Sequence, residues 1–264
     1  MGGQPCGSSD VQDIEERYTK EYFDTLAARR YEYEDWFMAE FDAMDLQGKK
    51  VLEIGYGQGS DHLQLAKRGA ILSGISLAPK DEEITRMHLE VNGYHSDLIT
   101  GDCENLPYED NSFDMVYTFG VIHHTPNMEK AVDEIYRVLK PGGIVWCGVY
   151  NKNSFFYRCQ FIPYHYLIGR YKTLTKMEGL SLYEYPCDNK DIYVRVTTKK
   201  DLFNMFSKFT ILDFKTWSID KTYLKFLVIP IKNKKLLNVL GRKMGWYNVI
   251  IAQKRHIPEE SNTI

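Results

Sequence analysis

The sequence predicts an α/β protein with a mostly parallel sheet and helices on both faces. Between residues 50 and 150, short apolar segments alternate with longer amphipathic ones, as expected for parallel strands joined by crossover helices. The first apolar segment runs directly into a glycine-rich turn at residues 55–59, which suits the carboxyl edge of such a sheet. A length of 264 residues favours one large domain with insertions over two separate domains.

The individual elements follow from apolar periodicity and from the Gly, Pro and cap residues at their ends. Residues 11–44 have the aromatic, charge-rich pattern of one or two amphipathic helices. The next predicted elements are strand 50–54, helix 60–67, strand 70–76, helix 79–91, strand 96–100, strand 113–119, helix 128–139 and strand 143–150. Pro141, Gly142 and Gly143 predict a turn before the last of these strands. After a long insertion come helix 197–206, opened by a Thr-Thr cap, and strands 210–216 and 246–252.

Bulk composition indicates an ordinary globular protein, 44% hydrophobic and 26% charged. The net charge of -3 gives no global preference for nucleic acid. Five cysteines occur without a C-x-x-C pair, so we expect a reduced protein with no metal site. A signal-peptide pattern is missing and no run of about 18 apolar residues occurs, which predicts a cytoplasmic protein without a transmembrane segment.

The glycine turn reads V-L-E-I-G-Y-G-Q-G-S-D from Val51 to Asp61. Its three glycines permit positive φ and close approach of the backbone to a ligand. A dinucleotide site needs G-x-G-x-x-G, but Ser60 stands where the last glycine belongs. The Gly-Lys-Ser/Thr of a phosphate-binding P-loop does not follow either. Taken alone, the turn is compatible with a small polar ligand or with a purely structural role.

Two further motifs follow in order along the chain. They read G-D-C-E-N-L-P-Y-E-D-N-S-F-D-M-V-Y-T-F-G-V-I-H-H-T-P-N from Gly101 and A-V-D-E-I-Y-R-V-L-K-P-G-G from Ala131. With the glycine turn, over residues 48–149, they resemble class I S-adenosylmethionine-dependent methyltransferases of the branch that contains the ubiquinone, menaquinone and natural-product enzymes. The resemblance implies a Rossmann-like seven-stranded sheet of order 3-2-1-4-5-7-6. It also implies S-adenosyl-L-methionine as cofactor and S-adenosyl-L-homocysteine as product.

The resemblance assigns cofactor contacts to residues of this chain. The glycine turn would lie against the methionyl part of the cofactor, and Glu53 would support its ammonium group or would instead fix the turn. Asp102 would accept the adenine amino group beside Cys103, or would instead cap its own loop. The full set implied for the cofactor is Glu53, Gly55, Tyr56, Gly57, Gly59, Ser76, Asp102, Cys103, Thr118, Phe119 and Gly120.

One position departs from the family. The second strand usually ends in an Asp or Glu that binds the ribose hydroxyls, whereas this chain has Ser76, in G-I-S-L-A-P. A hydroxyl can form the hydrogen bond but lacks the charge-assisted strength of a carboxylate. The variant is similar to the G-I-T-L-S form of some lipid, sterol and tocopherol methyltransferases, so cofactor binding is still expected.

Two histidines are the candidate catalytic residues. In-line methyl transfer depends on alignment of the reacting groups, and a hydroxyl or thiol acceptor also gains from a general base. His123 and His124 follow the fourth strand, and imidazole titrates near neutrality. We expect one of them to face the acceptor, with His123 favoured over His124, and a structural role for both as the alternative.

Aromatic residues at the end of the fifth predicted strand or outside the predicted sheet are the candidates for binding the acceptor. Three lie in an N-terminal segment whose P-C-G-S, E-Y-F and R-Y motifs look like the leader of a bacterial subgroup of these methyltransferases. They would form a lid that excludes water or would simply pack a helix. The others lie just before or at the start of the insertion 151–196, which is either a substrate cap or the core of a subdomain. The candidates are Tyr18, Tyr22, Tyr31, Tyr150, Phe155 and Phe156.

These features predict a domain organisation and a function. The segments are an N-terminal helical lid (1–47), the cofactor-binding half of the core (48–150), an inserted cap (151–196), the C-terminal part of the core (197–254) and a tail (255–264). We expect methyl transfer to a small, hydrophobic or aromatic-compatible metabolite. The alternatives are an amphiphilic lipid acceptor, approached at the membrane surface through the basic segment 221–245, and a cofactor-binding regulatory or scaffold protein without turnover. We find no RNA-binding module, so nucleic acid is not an expected partner.

Overall fold

The computed structural model describes residues 11, 13–169, 172–184, 192–218 and 234–256. Its helices are α1 (Lys20–Tyr33), α2 (Trp36–Asp42), α3 (Ser60–Lys67), α4 (Pro79–Glu90), α5 (Met128–Val138), α6 (Lys176–Glu184), α7 (Lys199–Met205) and α8 (Lys234–Met244). Its strands are β1 (Lys50–Ile54), β2 (Ile71–Ser76), β3 (Asp97–Thr100), β4 (Phe113–Phe119), β5 (Leu139–Tyr150), β6 (Phe209–Trp217) and β7 (Tyr247–Lys254). A 3₁₀ turn, Ile122–His124, follows β4, and a π-helical segment spans Phe156–Ile168.

The strands form one sheet of order β3-β2-β1-β4-β5-β7-β6, which confirms the predicted topology. The central strand β1 pairs in parallel with both β2 and β4. Only β7 runs against its neighbours, β5 and β6. The strand order reverses at β1, so the carboxyl ends of β1, β2 and β4 meet at the edge where ligands bind in open α/β sheets.

Both faces of the sheet are covered, which explains why the central strands are apolar throughout. Leu52 and Ile54 pack on the face that carries α5. Val51 lies on the opposite face, in a cluster with Phe37 and Phe41 of α2. Successive strand residues alternate between faces, so a strand buried on both sides reads as a continuous apolar run. Each such buried side chain contributes about 1.5–3 kcal/mol relative to exposure.

Strand β5 begins earlier than predicted. Leu139 already pairs with Phe113, and the next pair joins Met115 to Ile144, so the register shifts between them. The Pro-Gly-Gly sequence therefore lies inside the strand as an irregularity rather than before it. Gly142 adopts a φ of 79° there, a value that suits glycine. The predicted cap of α7 is confirmed, since Thr198 and Asp201 form a reciprocal capping box.

The insertion after β5 has an aromatic cluster of its own. Phe156, Phe161 and Leu180 pack with Trp246, which directly precedes β7. A parallel bridge between Asn151 and Thr197 closes the base of the insertion. Among the described residues no helix is long and apolar enough to cross a bilayer. The P-C-G-S motif and most of the basic segment 221–245 lie outside the described residues.

Candidate functional site

A cavity of about 300 Å³ opens at the carboxyl edge of β1, β2 and β4. This is the low end of the size range of small-molecule sites. Of the residues proposed from the sequence for the cofactor, those that line it are Gly55, Gly57, Ser76, Asp102, Cys103 and Gly120. They come from four separate segments of the chain, and the parallel sheet brings them to one edge.

The glycines that line the cavity are needed for different structural reasons. Gly55 has a φ of 80°, and a Cβ there would lie 2.1 Å from Cγ2 of Val121. Gly57 and Gly120 also have positive φ, but a Cβ at either would meet nothing within 4 Å. Side chains there would project into open space beside the cavity, so the two glycines leave room for a ligand against the backbone.

Gly59 and Tyr56 join the glycine turn to the elements around it. Gly59 is the N-cap of α3 in the left-handed conformation, and a Cβ there would lie 2.8 Å from Cγ2 of Thr85. The Tyr56 hydroxyl donates to the Ile99 carbonyl at 3.0 Å, while its ring packs under Gly74. The backbone of Gly59 and the side chain of Tyr56 therefore shape the turn and its attachment to the sheet, and neither residue lines the cavity.

Glu53 faces α3 instead of the cavity. Its Oε2 lies 2.7 Å from His62 Nδ1, and His62 Nε2 lies 2.8 Å from Ser96 Oγ. Because the Ser96 hydroxyl gives its proton to the Leu72 carbonyl, it accepts from His62 Nε2–H. A single proton then remains to be shared between Glu53 and His62, and burial raises the pKa of Glu53. This geometry agrees with the second role expected for Glu53, a carboxyl group that fixes the turn.

A carboxylate that was not predicted from the sequence lies beside Ser76. The Ser76 hydroxyl donates to Asp81 Oδ2 at 2.6 Å, and both residues line the cavity. Asp81 lies in the first turn of α4, which Pro79 opens and where a negative charge is favoured. Burial raises the pKa of Asp81. The signal in the sequence was an acidic residue five positions after Ser76, on the next helix instead of at the strand end.

The loop after β3 forms another wall. Asp102 Oδ1 accepts a hydrogen bond from the Glu104 backbone N–H at 2.8 Å, so one oxygen caps the loop while the residue also lines the cavity. Burial raises the pKa of the neighbouring Cys103 to about 12, which keeps it a neutral thiol. Glu104 accepts from the Thr125 hydroxyl and from the backbone N–H of Asn127. These bonds tie the loop to the segment that follows the 3₁₀ turn.

His124, and not His123, lies on the cavity wall. His124 Nδ1 is 2.9 Å from the Tyr193 carbonyl, so this nitrogen carries the proton and Nε2 is the basic one in the neutral ring. Burial lowers the pKa of His124. His123 is fully buried, with its ring 3.8 Å from that of Tyr150, and within the described residues neither of its ring nitrogens has a partner. Burial, with His124 beside it, holds the pKa of His123 well below its usual range.

The last two residues of β4, Thr118 and Phe119, lie behind the cavity wall. Thr118 is fully buried, and its hydroxyl finds no hydrogen-bond partner in the described part of the chain. The Phe119 ring contacts Phe37 at 4.6 Å and Tyr247 at 4.5 Å between centroids. Both residues therefore support the strand end, and only Gly120 of this trio lines the cavity.

Helix α1 is fastened across the glycine turn and the start of α3. The Tyr22 hydroxyl donates to Gln58 Oε1 at 2.9 Å. Tyr31 donates to Asp61 Oδ1 at 2.9 Å, and Arg30 forms two bonds with the same carboxylate, at 3.0 and 2.7 Å. Tyr18 packs edge-on against Tyr22. These three tyrosines thus hold or pack the helix beside the turn.

The aromatic candidates of the insertion occupy different places. The Tyr150 ring stacks on Trp246 at 4.3 Å and also contacts His123, so it joins the insertion to the 3₁₀ turn. Phe156 is buried against Trp246. Phe155 precedes the π-helical segment as its cap residue and is partly buried. The Tyr150 ring thus contacts both candidate catalytic histidines.

Sequence comparison finds similarity to known methyltransferases. Residues 52–147 match the family described as "Methyltransferase domain". A sterol 4-C-methyltransferase of Caenorhabditis elegans is 38% identical over 94 residues, 35% of this chain and 28% of that protein. A ubiquinone biosynthesis O-methyltransferase of Azoarcus sp. (strain BH72) is 34% identical over 125 residues, 47% of this chain and 54% of that protein. The matched segments thus span about half or less of these relatives.

Solved structures show the same fold. An S-adenosylmethionine-dependent methyltransferase from Mesorhizobium loti superposes with a TM-score of 0.59 over 83% of this chain and 97% of its own, at 14% identity. The resemblance predicted from the sequence motifs is confirmed by the domain match and by the sheet order. The domain family implies S-adenosylmethionine as cofactor, and the open space over Gly57 and Gly120 fits a ligand laid against the backbone.

Proposed function

We propose that this chain, whose residues 52–147 form a class I methyltransferase domain, transfers a methyl group from S-adenosylmethionine to a small hydrophobic acceptor. The observation that carries the proposal is that three kinds of group line one cavity, at the edge where the strand order reverses. They are the backbone of the glycine turn, the carboxylates of Asp81 and Asp102, and the neutral imidazole of His124. Each of these groups matches a different part of the cofactor or of the reaction.

The cavity residues suit the polar ends of the cofactor. Asp81, held by the Ser76 hydroxyl, replaces the missing strand-end carboxylate as the acceptor for ribose hydroxyls. Asp102 lines the same cavity and is the acceptor for the adenine amino group, with the neutral Cys103 thiol against the ring. The backbone at Gly57 and Gly120 is open for the methionyl half. Charge-assisted hydrogen bonds of this kind are about twice as strong as neutral ones.

The chemistry requires alignment and, for a protic acceptor, a base. The cofactor supplies an activated methyl group on a sulfonium. When bound beside the acceptor, it would give this methyl group to the acceptor atom, and its sulfur would keep the electron pair of the methyl–sulfur bond. The acceptor proton passes to His124 Nε2, because Nδ1 is already committed to the Tyr193 carbonyl. His123 lies behind His124 and Tyr150, where it supports the ring that acts.

A lipid acceptor is the second candidate for the same reaction. One relative is named as a sterol methyltransferase, and Leu77, which lines the cavity, is 71% exposed. Exposed apolar side chains at a cavity mouth suit an amphiphilic molecule that is partly held in a bilayer. Methylation of a sterol or long-chain acceptor in vesicles, faster than that of water-soluble phenols and amines, would favour this candidate.

The direct test is cofactor binding followed by turnover. Calorimetry with S-adenosylhomocysteine should give a saturable site in the wild type, and labelled methyl groups should then pass to one or more members of a panel of phenols, amines, thiols and sterols. Binding without transfer to any acceptor would favour the regulatory or scaffold alternative. Absence of binding would refute the proposed function.

A further inference from the structure

Two buried side chains of α4 hold the glycine turn from outside the cavity. Thr85 Oγ1 donates to the Gly57 carbonyl at 2.9 Å, and His88 Nδ1 lies 2.7 Å from the Gln58 carbonyl. Thr85 and His88 are 0% and 1% exposed. Because a carbonyl only accepts, His88 carries its proton on Nδ1. The cavity wall does not include either side chain, so any effect they have on a ligand passes through the turn.

These bonds fix the direction of two successive peptide groups. A trans peptide is planar, so its carbonyl and its N–H point in opposite directions. Holding the Gly57 carbonyl against Thr85 therefore directs the N–H of Gln58 away from α4. The flanking glycines have φ values of 52° at Gly57 and 80° at Gly59, and glycine moves easily between backbone regions. Without the two anchors the turn would have to be ordered when a ligand binds, which weakens affinity.

The same face of α4 also serves the other end of the cavity. Asp81, Thr85 and His88 are spaced four and three residues apart, so they share one side of the helix. Asp81 reaches the cavity beside Ser76, while the other two reach the turn. The Phe23 ring of α1 stacks on His88 at 4.1 Å and an interplanar angle of 4°, and the Tyr22 hydroxyl of α1 donates to Gln58 of the turn. Helices α1 and α4 thus both contact the turn.

We infer that Thr85 and His88 are positioning residues of the cofactor site, which set the affinity for the methionyl half of S-adenosylmethionine by holding the Gly57 and Gln58 carbonyls. The inference rests on the proposed function, because it places this cofactor in the cavity. It assigns to α4 a role that the strand-end and glycine motifs do not reveal. The two anchors act on binding and leave the transfer step itself to other residues.

The chain offers matched variants at both positions. Thr85→Val removes the hydroxyl and keeps a branched side chain of similar size, whereas Thr85→Ser keeps the hydroxyl and removes the methyl that lies against Gly59. His88→Leu removes the donor, whereas the side-chain N–H of asparagine in His88→Asn stands where Nδ1–H was. Comparison within each pair separates the hydrogen bond from the packing.

The experiment measures the dissociation constants of S-adenosylhomocysteine and of adenosine, which lacks the methionyl half, for the wild type and all four variants. Thr85→Val and His88→Leu should bind S-adenosylhomocysteine about five- to tenfold more weakly, the equivalent of one hydrogen bond. Thr85→Ser and His88→Asn should stay within about twofold of the wild type. Adenosine affinity should be unchanged throughout, which also reports that the site is folded.

Two results would overturn the inference. One is wild-type affinity for S-adenosylhomocysteine in Thr85→Val and His88→Leu. The other is an equal loss for both ligands, which would indicate a general structural role. If Thr85→Val does not fold, the His88 pair carries the same test. Failure of the wild type to bind either ligand would instead refute the proposed function, so the two failures are distinguishable.

Discussion

At the scale of single residues, Asp81 is the clearest departure from the family pattern, which has an acidic residue at the end of the second strand. Its carboxylate accepts from the Ser76 hydroxyl at 2.6 Å and lines the cavity beside the end of β2. A serine at the strand end and an aspartate in the first turn of the next helix together supply the hydroxyl and the charge. In the proposed site, this pair is the acceptor for the ribose hydroxyls of the cofactor.

Asp81→Asn should weaken binding of S-adenosylhomocysteine by about 1.5–3 kcal/mol, because an amide accepts from Ser76 but makes no charge-assisted bond to a ribose hydroxyl. Titration calorimetry measures the change. Glu83→Gln on the exposed side of the same helix is the matched control and should bind as the wild type does. Unchanged affinity in Asp81→Asn would place the ribose elsewhere.

His124→Asn should lower turnover about 100-fold, a typical contribution of a general base, while cofactor affinity is kept. Asparagine can still donate to the Tyr193 carbonyl but has no counterpart to Nε2. Because burial lowers the pKa of His124 below its ordinary 6.5, the base stays unprotonated and the wild-type rate should hold as pH falls somewhat below 6.5. A near-wild-type rate in the variant would leave alignment alone responsible for catalysis.

His88 should make stability depend on pH. Burial lowers its pKa from 6.5 to about 4. Between these pH values, His88 is protonated in the unfolded chain but neutral in the folded one. Stability is therefore fully present above pH 6.5 and is lost as pH falls towards 4, by at most about 3 kcal/mol from this residue. Urea unfolding between these pH values, in the wild type and in His88→Asn, measures the difference. If the free energy of unfolding falls with pH equally in the two proteins, His88 does not titrate in this way.

At the scale of elements, one buried carboxylate ties α1 to α3. Asp61 at the start of α3 receives two bonds from Arg30 and one each from Tyr31 and Tyr117. The Arg30 guanidinium also lies over the Phe37 ring at 5.0 Å. An acidic residue in the first turn of a helix is favourable, and here the same group anchors the N-terminal helix next to the glycine turn.

Arg30→Met should destabilise the protein by about 3 kcal/mol, since it leaves Asp61 buried without its cationic partner. The free energy of unfolding in urea is the measurement. The neighbouring Arg29 pairs with Asp13 on the surface, so Arg29→Met should cost less than about 1 kcal/mol. If the two variants are equally stable, the Arg30–Asp61 pair does not hold α1 in place.

At the scale of the whole molecule, the sequence predicted what local patterns determine. The bounds of β1, α3 and β4 were predicted to the residue, because apolar runs, glycines and cap residues mark them directly. The anchors of the glycine turn were not predicted, since Thr85 and His88 look like ordinary positions of an amphipathic helix. Hydrogen bonds between residues 28 and 30 positions apart have no signature in either local segment. For the same reason His124 could not be preferred over its neighbour from the sequence alone.

The candidate site joins segments from across the core, so ligand binding should stabilise the fold as a whole. Glycine turn, α4, the loop after β3 and the 3₁₀ turn all contribute to one cavity, and unfolding any of them removes the site. S-adenosylhomocysteine at 100 times its dissociation constant should therefore raise the free energy of unfolding by about 2.7 kcal/mol. Asp102→Ala, which loses the proposed adenine acceptor, should gain less at the same ligand concentration. Urea titrations with and without ligand decide the matter, and a wild-type protein that gains nothing would show that the cavity is not a site for this ligand.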